Sequence, residues 1–334
     1  MHGLFLLGAQ RSGTTLCRLM LNRHSQIAIP PEAHFIRALF LQLPYDRPLS
    51  SPERGEAFNI ISRSPRFSTW QLQPAELQQT IDRLRAEASL SELVDAVMHA
   101  EILDTGKPFW GEKTPENIDV AEKLASAFPD SKFLLVTRDG RDVAESLLTA
   151  GWQGWTVQQR AAYWTRSVHA MKKVAQRHRH AMWVKYEDLV LESESALQRI
   201  CDFLGVAFEA DMLRFYDDAN ANITKVERDA GIHRKLSRPP TPDDVDKWRT
   251  STPRGKVFLF ECSAANELQS VGYELQYYNP RSYLDRAKSL AYTAFARVLG
   301  ATYHAYHAVM PAGAKRRLRQ NRVAQALRNI VRAG

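Results

Sequence analysis

Leu4-Phe5-Leu6-Leu7 runs without a spacer into Gly8-Ala9-Gln10-Arg11-Ser12-Gly13-Thr14-Thr15, and then into the helical pattern Leu16-Cys17-Arg18-Leu19-Met20-Leu21. A strand, a glycine-bounded loop and a helix start, in that order, make an anion cradle, because unpaired backbone N–H groups and the positive end of the helix dipole converge on the loop. Arg11, Ser12, Thr14 and Thr15 add side-chain donors at the same place. The first thirty residues are thereby committed to a βα unit.

The same alternation continues down the chain. Short apolar runs at Leu4–Leu7, Ile27–Ile29, Pro108–Gly111, Lys132–Thr137 and Met182–Lys185 read as strands. Helical patterns fall at about 13–23, 118–128, 140–150, 156–178 and 193–204, the spacing of βα units. The expectation is a three-layer, P-loop-like α/β fold with a central parallel sheet flanked by helices. Residues 45–107, opened by Pro44, Pro48 and Pro52, read as a helical insertion, and 219–256, with Arg238-Pro239-Pro240-Thr241-Pro242, as a lid-like loop. One domain is expected over 1–279, followed by a basic helical extension over 280–334.

The loop keeps the GxxxxGK[ST] spacing but places Thr14 where a nucleotide triphosphatase has its lysine. That lysine neutralises β- and γ-phosphates, so a site without it is poorly matched to a triphosphate. Gly8 to Leu16 resembles the 5′-phosphosulfate loop of sulfotransferases that use 3′-phosphoadenosine 5′-phosphosulfate (PAPS), closest to the RSGTT form of tyrosylprotein sulfotransferases and related bacterial enzymes. The resemblance implies that Arg11, Ser12, Gly13, Thr14 and Thr15 grip the 5′-phosphate and sulfonate.

Strand Lys132–Thr137 ends in Arg138-Asp139-Gly140-Arg141-Asp142, and Ser146 follows in the next helix. Ligands of open α/β sheets bind at the carboxyl ends of strands, where Arg138 stands. Arg138 and Ser146, eight positions apart, are similar to the family's 3′-phosphate clamp; Arg141 and Asp142 read as a surface cluster at a helix start. A 5′ cradle with a separate 3′ clamp describes a 3′,5′-substituted adenosine, which ATP is not.

Sulfonate transfer needs a base for the acceptor proton and positive charge on the oxygen that leaves with phosphate. Glu32, in Pro30-Pro31-Glu32-Ala33-His34-Phe35, matches the family's catalytic glutamate, and Lys113, in Gly111-Glu112-Lys113-Thr114-Pro115, its lysine at the bridging oxygen. His34 is the rival base. Tyr186, in Tyr186-Glu187-Asp188-Leu189, resembles the tyrosine beside the adenosine, and Ser237 and Arg238 resemble a segment that closes over the donor. The implied reaction yields 3′,5′-ADP and requires no metal. A P-loop kinase and a non-enzymatic nucleotide-binding membrane adaptor are the rival functions.

The formal net charge is +8, yet residues 281–334 hold eleven Lys or Arg against Asp285, so the body is slightly acidic. A basic excess confined to an amphipathic tail suits either an anionic lipid surface or docking onto the body or a second subunit, and not a chain-wide nucleic-acid footprint. Cys17, Cys201 and Cys262 form no CxxC pair and read as thiols of a reducing compartment. Gly3–Gly8 is too short for a signal segment, so the expected location is cytoplasmic, peripheral to the inner membrane face. The acceptor class stays open among sugar, glycolipid, phenol and peptide tyrosine, with Trp152, Trp155 and Trp164 as pocket or core candidates, and homo-oligomerisation is open as well.

Overall fold

The computed structural model describes residues 3–150, 156–217 and 234–291. The chain divides into two compact units, Met1–Arg138 with Ser167–Val245, and Asp139–Arg166 with Asp246–Gly334.

The first unit holds a five-stranded, all-parallel sheet of order β2-β3-β1-β4-β5, with β1 Leu4–Leu7, β2 Ile27–Ala28, β3 Phe109–Glu112, β4 Lys132–Thr137 and β5 Ala181–Lys185. Side chains alternate across a strand, and β1 shows both faces in use. Leu4 and Leu6 pack with Leu134, Val136 and Val184 against helices α1 (Thr14–Asn22) and, later in the chain, Tyr186–Leu191 and Ser193–Leu204. Phe5 points to the opposite face, stacked on Phe133 at 5.1 Å, edge-on to Trp110 at 5.4 Å and 5.0 Å from Phe128. With both faces covered, the strands must be continuously apolar, and all four residues of β1 are fully buried.

Between β2 and β3 come α2 (Phe35–Gln42), α3 (Ser51–Ser62), α4 (Pro74–Asp82) and α5 (Leu90–Ile102). The last three each begin with a capping box, Ser50–Glu53, Gln73–Glu76 and Ser89–Glu92, and α3 and α4 also carry proline in the first turn. Trp110 of β3 donates its indole N–H to Asp95 of α5 at 2.8 Å, which ties this helical segment to the sheet.

After α6 (Ala121–Ala127), the second unit contributes α7 (Gly140–Ala150) and the start of α8 (Val157–Arg177). Further helices among the described residues are α9 (Tyr186–Leu191) and α10 (Ser193–Leu204) in the first unit, then α11 (Trp248–Ser251) and α12 (Arg254–Ser270) in the second. Arg141 and Asp142 are not a surface cluster. Arg141 is buried, bonded to Asp139 at 2.7 Å and Glu261 at 2.6 Å and stacked 3.8 Å from the Trp248 ring, while Asp142 accepts the Trp248 backbone N–H at 2.9 Å. These polar groups stay inside because each is satisfied there. Trp164 is core, packed on Phe260; Trp152 and Trp155 lie outside the described residues, as do 219–233 of the lid-like loop and the basic tail from 292 onward. No described helix is long and apolar enough to cross a membrane.

Candidate active site

All five strands end at one edge of the sheet, and each releases its chain into a residue singled out from the sequence. β1 leads into Gly8–Thr15, β2 into Glu32, β3 into Lys113, β4 into Arg138 and β5 into Tyr186. This is the edge where open parallel sheets bind their ligands.

The loop after β1 curls tightly. Ser12 N–H donates to the Ala9 carbonyl at 3.1 Å, Arg11 takes a φ of 70°, and Gly13, at φ 90°, caps α1. A Cβ on Gly8 would lie 2.5 Å from the Val136 carbonyl oxygen, and one on Gly13 would lie 2.3 Å from the Tyr186 ring. Glycine is therefore required twice, once for the approach to β4 and once for the left-handed turn under Tyr186. The first turn of α1 holds no acid, and its leading N–H groups have no partner within the helix. Ser12 is 1% exposed, and its hydroxyl is buried without a hydrogen-bond partner among the described residues. An orphaned donor beside a helix start fits an anionic oxygen.

Arg138 reaches this loop from β4. Its Nη1 donates to the Arg11 carbonyl at 3.4 Å, and its guanidinium lies 4.5 Å over the Tyr186 ring. Nη2 donates at 3.2 Å to the carbonyl of buried Asp244, whose carboxylate accepts Arg238 Nη2 at 3.0 Å. Arg238 is thus joined to Arg138 through one residue. Burial lowers the Arg11 pKa, and the charge of Arg138 lowers it further against a smaller opposing effect of Tyr186. Two cations at one loop raise each other's energy, and an anion between them relieves both. Ser237 is exposed at the end of a 3₁₀ turn, Arg234–Ser237. Ser146 is half-buried on α7, in the second unit.

Glu32 and Lys113 meet directly, Nζ donating to Oε1. The same Nζ donates to Thr15 Oγ1 at 3.2 Å, so one ammonium spans the carboxylate and the phosphate loop. The other oxygen of Glu32 accepts Arg66 Nη1 at 2.7 Å and lies 3.1 Å from His34 Nε2, while His34 Nδ1 is 3.9 Å from Glu116. Burial pushes the Glu32 carboxyl up, but the charge of Lys113, the bonds from His34 and Lys113 and the charge of Arg66 together hold it well below the usual carboxylate range. Glu32 and His34, the two base candidates, therefore share one cluster.

Three participants carry no sequence signal of their own. Arg66 comes from the link between α3 and α4, and Asp244 lies among charged, apolar-poor residues. Glu112 stands next to Lys113, but glutamate is by default a solvated residue; here it is 2% exposed.

A model described as "Sulfotransferase family" matches residues 3–210. The chain is 26% identical over 298 residues to Protein-tyrosine sulfotransferase 2 of Gallus gallus, covering 84% of this chain and 71% of that protein. It is also 26% identical over 323 residues to the nodulation protein NoeE of Sinorhizobium fredii (strain NBRC 101917 / NGR234), covering 86% and 70%. The fold is similar to that of the sulfotransferase domain from the Synechococcus PCC 7002 olefin synthase, with a TM-score of 0.58 at 22% identity over 82% of this chain and 95% of that one. The family match takes in every strand of the sheet and every strand-end residue described above, so this chain belongs to the sulfotransferase family and is a sulfotransferase.

Proposed function

We propose that the donor is PAPS and that its sulfonate passes to an acceptor hydroxyl with Glu32 as base. The observation that carries this reading is the position of Lys113, whose Nζ touches both Thr15 of the phosphate loop and Glu32. The Gly8–Thr15 turn, with the buried Ser12 hydroxyl and Arg11, receives the 5′-phosphosulfate. Arg138, backed by the Tyr186 ring, takes the 3′-phosphate, and the segment bearing Ser237 and Arg238 covers the adenosine.

The acceptor oxygen forms a bond to sulfur as the bond from sulfur to the 5′-phosphate oxygen breaks. The electron pair of the broken bond stays on that oxygen, giving 3′,5′-ADP, and the acceptor proton passes to Glu32. Lys113 turns from Glu32 towards the leaving oxygen. That movement neutralises the charge developing there and frees Glu32 of its strongest partner, so its basicity rises when the proton must be taken. His34, 3.1 Å from the same carboxylate, orients it and stands in the path of the proton onward.

For the acceptor, the name of the Gallus gallus relative points to a tyrosine hydroxyl. The test is transfer of label from sulfur-labelled donor to a tyrosyl peptide, 4-nitrophenol, a sugar and a glycolipid, with wild type and Glu32→Gln. Label on a hydroxyl acceptor, reduced about 100-fold or more in Glu32→Gln, is expected for loss of a general base. A variant as fast as wild type removes Glu32 from the role, and absence of label on any acceptor removes PAPS as donor.

A further inference from the structure

One buried carboxylate lies behind the two reacting groups and touches neither reactant. Glu112, the last residue of β3, is 2% exposed. Its Oε1 accepts the Thr114 hydroxyl and its Oε2 accepts Asn117 Nδ2, each at 2.5 Å. The backbone N–H of Ala33 donates to the same carboxylate. Ala33 is bonded in sequence to Glu32 and followed by His34, and Glu112 itself is bonded to Lys113. Thr114 and Asn117 are fully buried with it, in the turn that leaves β3.

We propose that Glu112 is a positioning residue of the transfer reaction, which holds the loop bearing Glu32 and the turn bearing Lys113 in one register. The reasoning is geometric. β2 has only two residues and stops at Ala28, so sheet bonding does not reach Glu32. Lys113 is likewise the first residue beyond β3. Both reacting groups therefore project from chain outside the sheet ladder, and the Glu112 carboxylate makes a direct bond to both of these segments. A carboxylate with two oxygens can accept from three donors at once; an amide in its place has one acceptor oxygen and two N–H donors that face donors. Preorganised geometry of this kind acts on the rate of the chemical step, because displacement by about 1 Å is enough to slow it by about 100-fold.

The proposal rests on Glu32 and Lys113 being the reacting groups, so Glu32→Gln is assayed alongside. Glu112→Gln and Thr114→Val are compared with wild type for kcat and donor KM, with labelled PAPS and a tyrosyl peptide, and for binding of 3′,5′-ADP by calorimetry. Glu112→Gln is expected to lose about tenfold or more in kcat while KM for the donor and the 3′,5′-ADP dissociation constant stay within about threefold of wild type. Thr114→Val, which removes one donor and keeps shape, is expected to lose about threefold in kcat with nucleotide binding unchanged. If Glu32→Gln is slow and Glu112→Gln keeps its kcat within about twofold, the positioning role fails while the base assignment stands. If Glu32→Gln keeps full activity, the base assignment itself fails. Equal losses in kcat and nucleotide affinity in Glu112→Gln mark a general scaffold residue and overturn the proposal. Should Glu112→Gln not fold, Thr114→Val decides, and an unchanged kcat there overturns it.

Discussion

Glu32 and Lys113 form an ion pair from the ends of adjacent strands, β2 and β3, with Lys113 almost completely buried at 1% exposure. A buried ammonium is tolerable only with its charge compensated, and here the compensation comes from the carboxylate proposed as the base. The structure shows the pair closed. In the proposed reaction it opens, and Lys113 transfers its attraction to the leaving oxygen.

Lys113→Met removes the ammonium and keeps the bulk. Transfer is expected to fall by about 100-fold or more, as when a single charge-stabilising donor is deleted from a transition state. Stability should fall less than for an isolated buried pair, about 3 kcal/mol at most, because Arg66 and His34 remain on Glu32. Turnover with labelled donor and urea unfolding measure the two effects.

Arg66→Gln tests the charge on the far side of the same carboxylate. Arg66 helps to hold Glu32 ionised, so its removal raises the pH at which the base becomes protonated. Activity is lost as pH falls through the Glu32 pKa. The acid limb of the kcat profile is therefore expected to move to higher pH in the variant, and a limb that stays in place contradicts the assignment.

Gly13→Ala forces a side chain into a residue at φ 90° and sets a Cβ 2.3 Å from the Tyr186 ring. Strain of this sort costs about 1–3 kcal/mol. Since Tyr186 also backs Arg138, the variant is expected to lose affinity for 3′,5′-ADP as well as thermal stability. Calorimetry and a melting curve read both.

Glu112 gives stability a pH dependence of known sign. Burial raises its pKa from 4.5 to about 7, against the opposing bonds from Thr114, Asn117 and Ala33 and the charge of Lys113. Between pH 4.5 and 7 the folded protein holds a proton that the unfolded chain has released, so stability falls as pH rises through that window, by about 3 kcal/mol in all. Glu32 acts in the opposite sense: its lowered pKa adds stability above 4.5 that is lost as pH falls below it. Urea unfolding at pH 5 and pH 7.5 is expected to show the decline in wild type and a smaller one in Glu112→Gln.

The legible parts of the fold were those with strong periodicity or punctuation. β1 and β4 fall on Leu4–Leu7 and Lys132–Thr137 as the apolar runs indicate, and α7 and α10 start and stop where the pattern does. β2 ends one residue early, since Ile29 turns its N–H to the Asn22 side chain at 2.8 Å, and β3 shifts by one residue, since Pro108 cannot join the ladder. The phosphate loop was legible in the order of strand, glycine-bounded loop and helix start, whereas Glu32 and Lys113 were singled out through the family resemblance, and the structure brings all three together. Arg66 was not, because nothing in the sequence says that a link between two helices, 34 residues past Glu32, returns to it. Arg141 was misplaced for the same reason: its partner Glu261 lies 120 residues away, and without that partner an arginine belongs in water.

The central claim is that one nucleotide is held at both ends, by the Gly8–Thr15 turn and by Arg138. Calorimetric binding of 3′,5′-ADP, 5′-AMP and ATP–Mg²⁺ to wild type and Arg138→Ala tests it most directly. The account predicts that wild type binds 3′,5′-ADP at least about tenfold tighter than 5′-AMP, about 1.4 kcal/mol, and that Arg138→Ala abolishes the difference. Equal affinity of wild type for 3′,5′-ADP and 5′-AMP, or binding of ATP–Mg²⁺ alone, contradicts it.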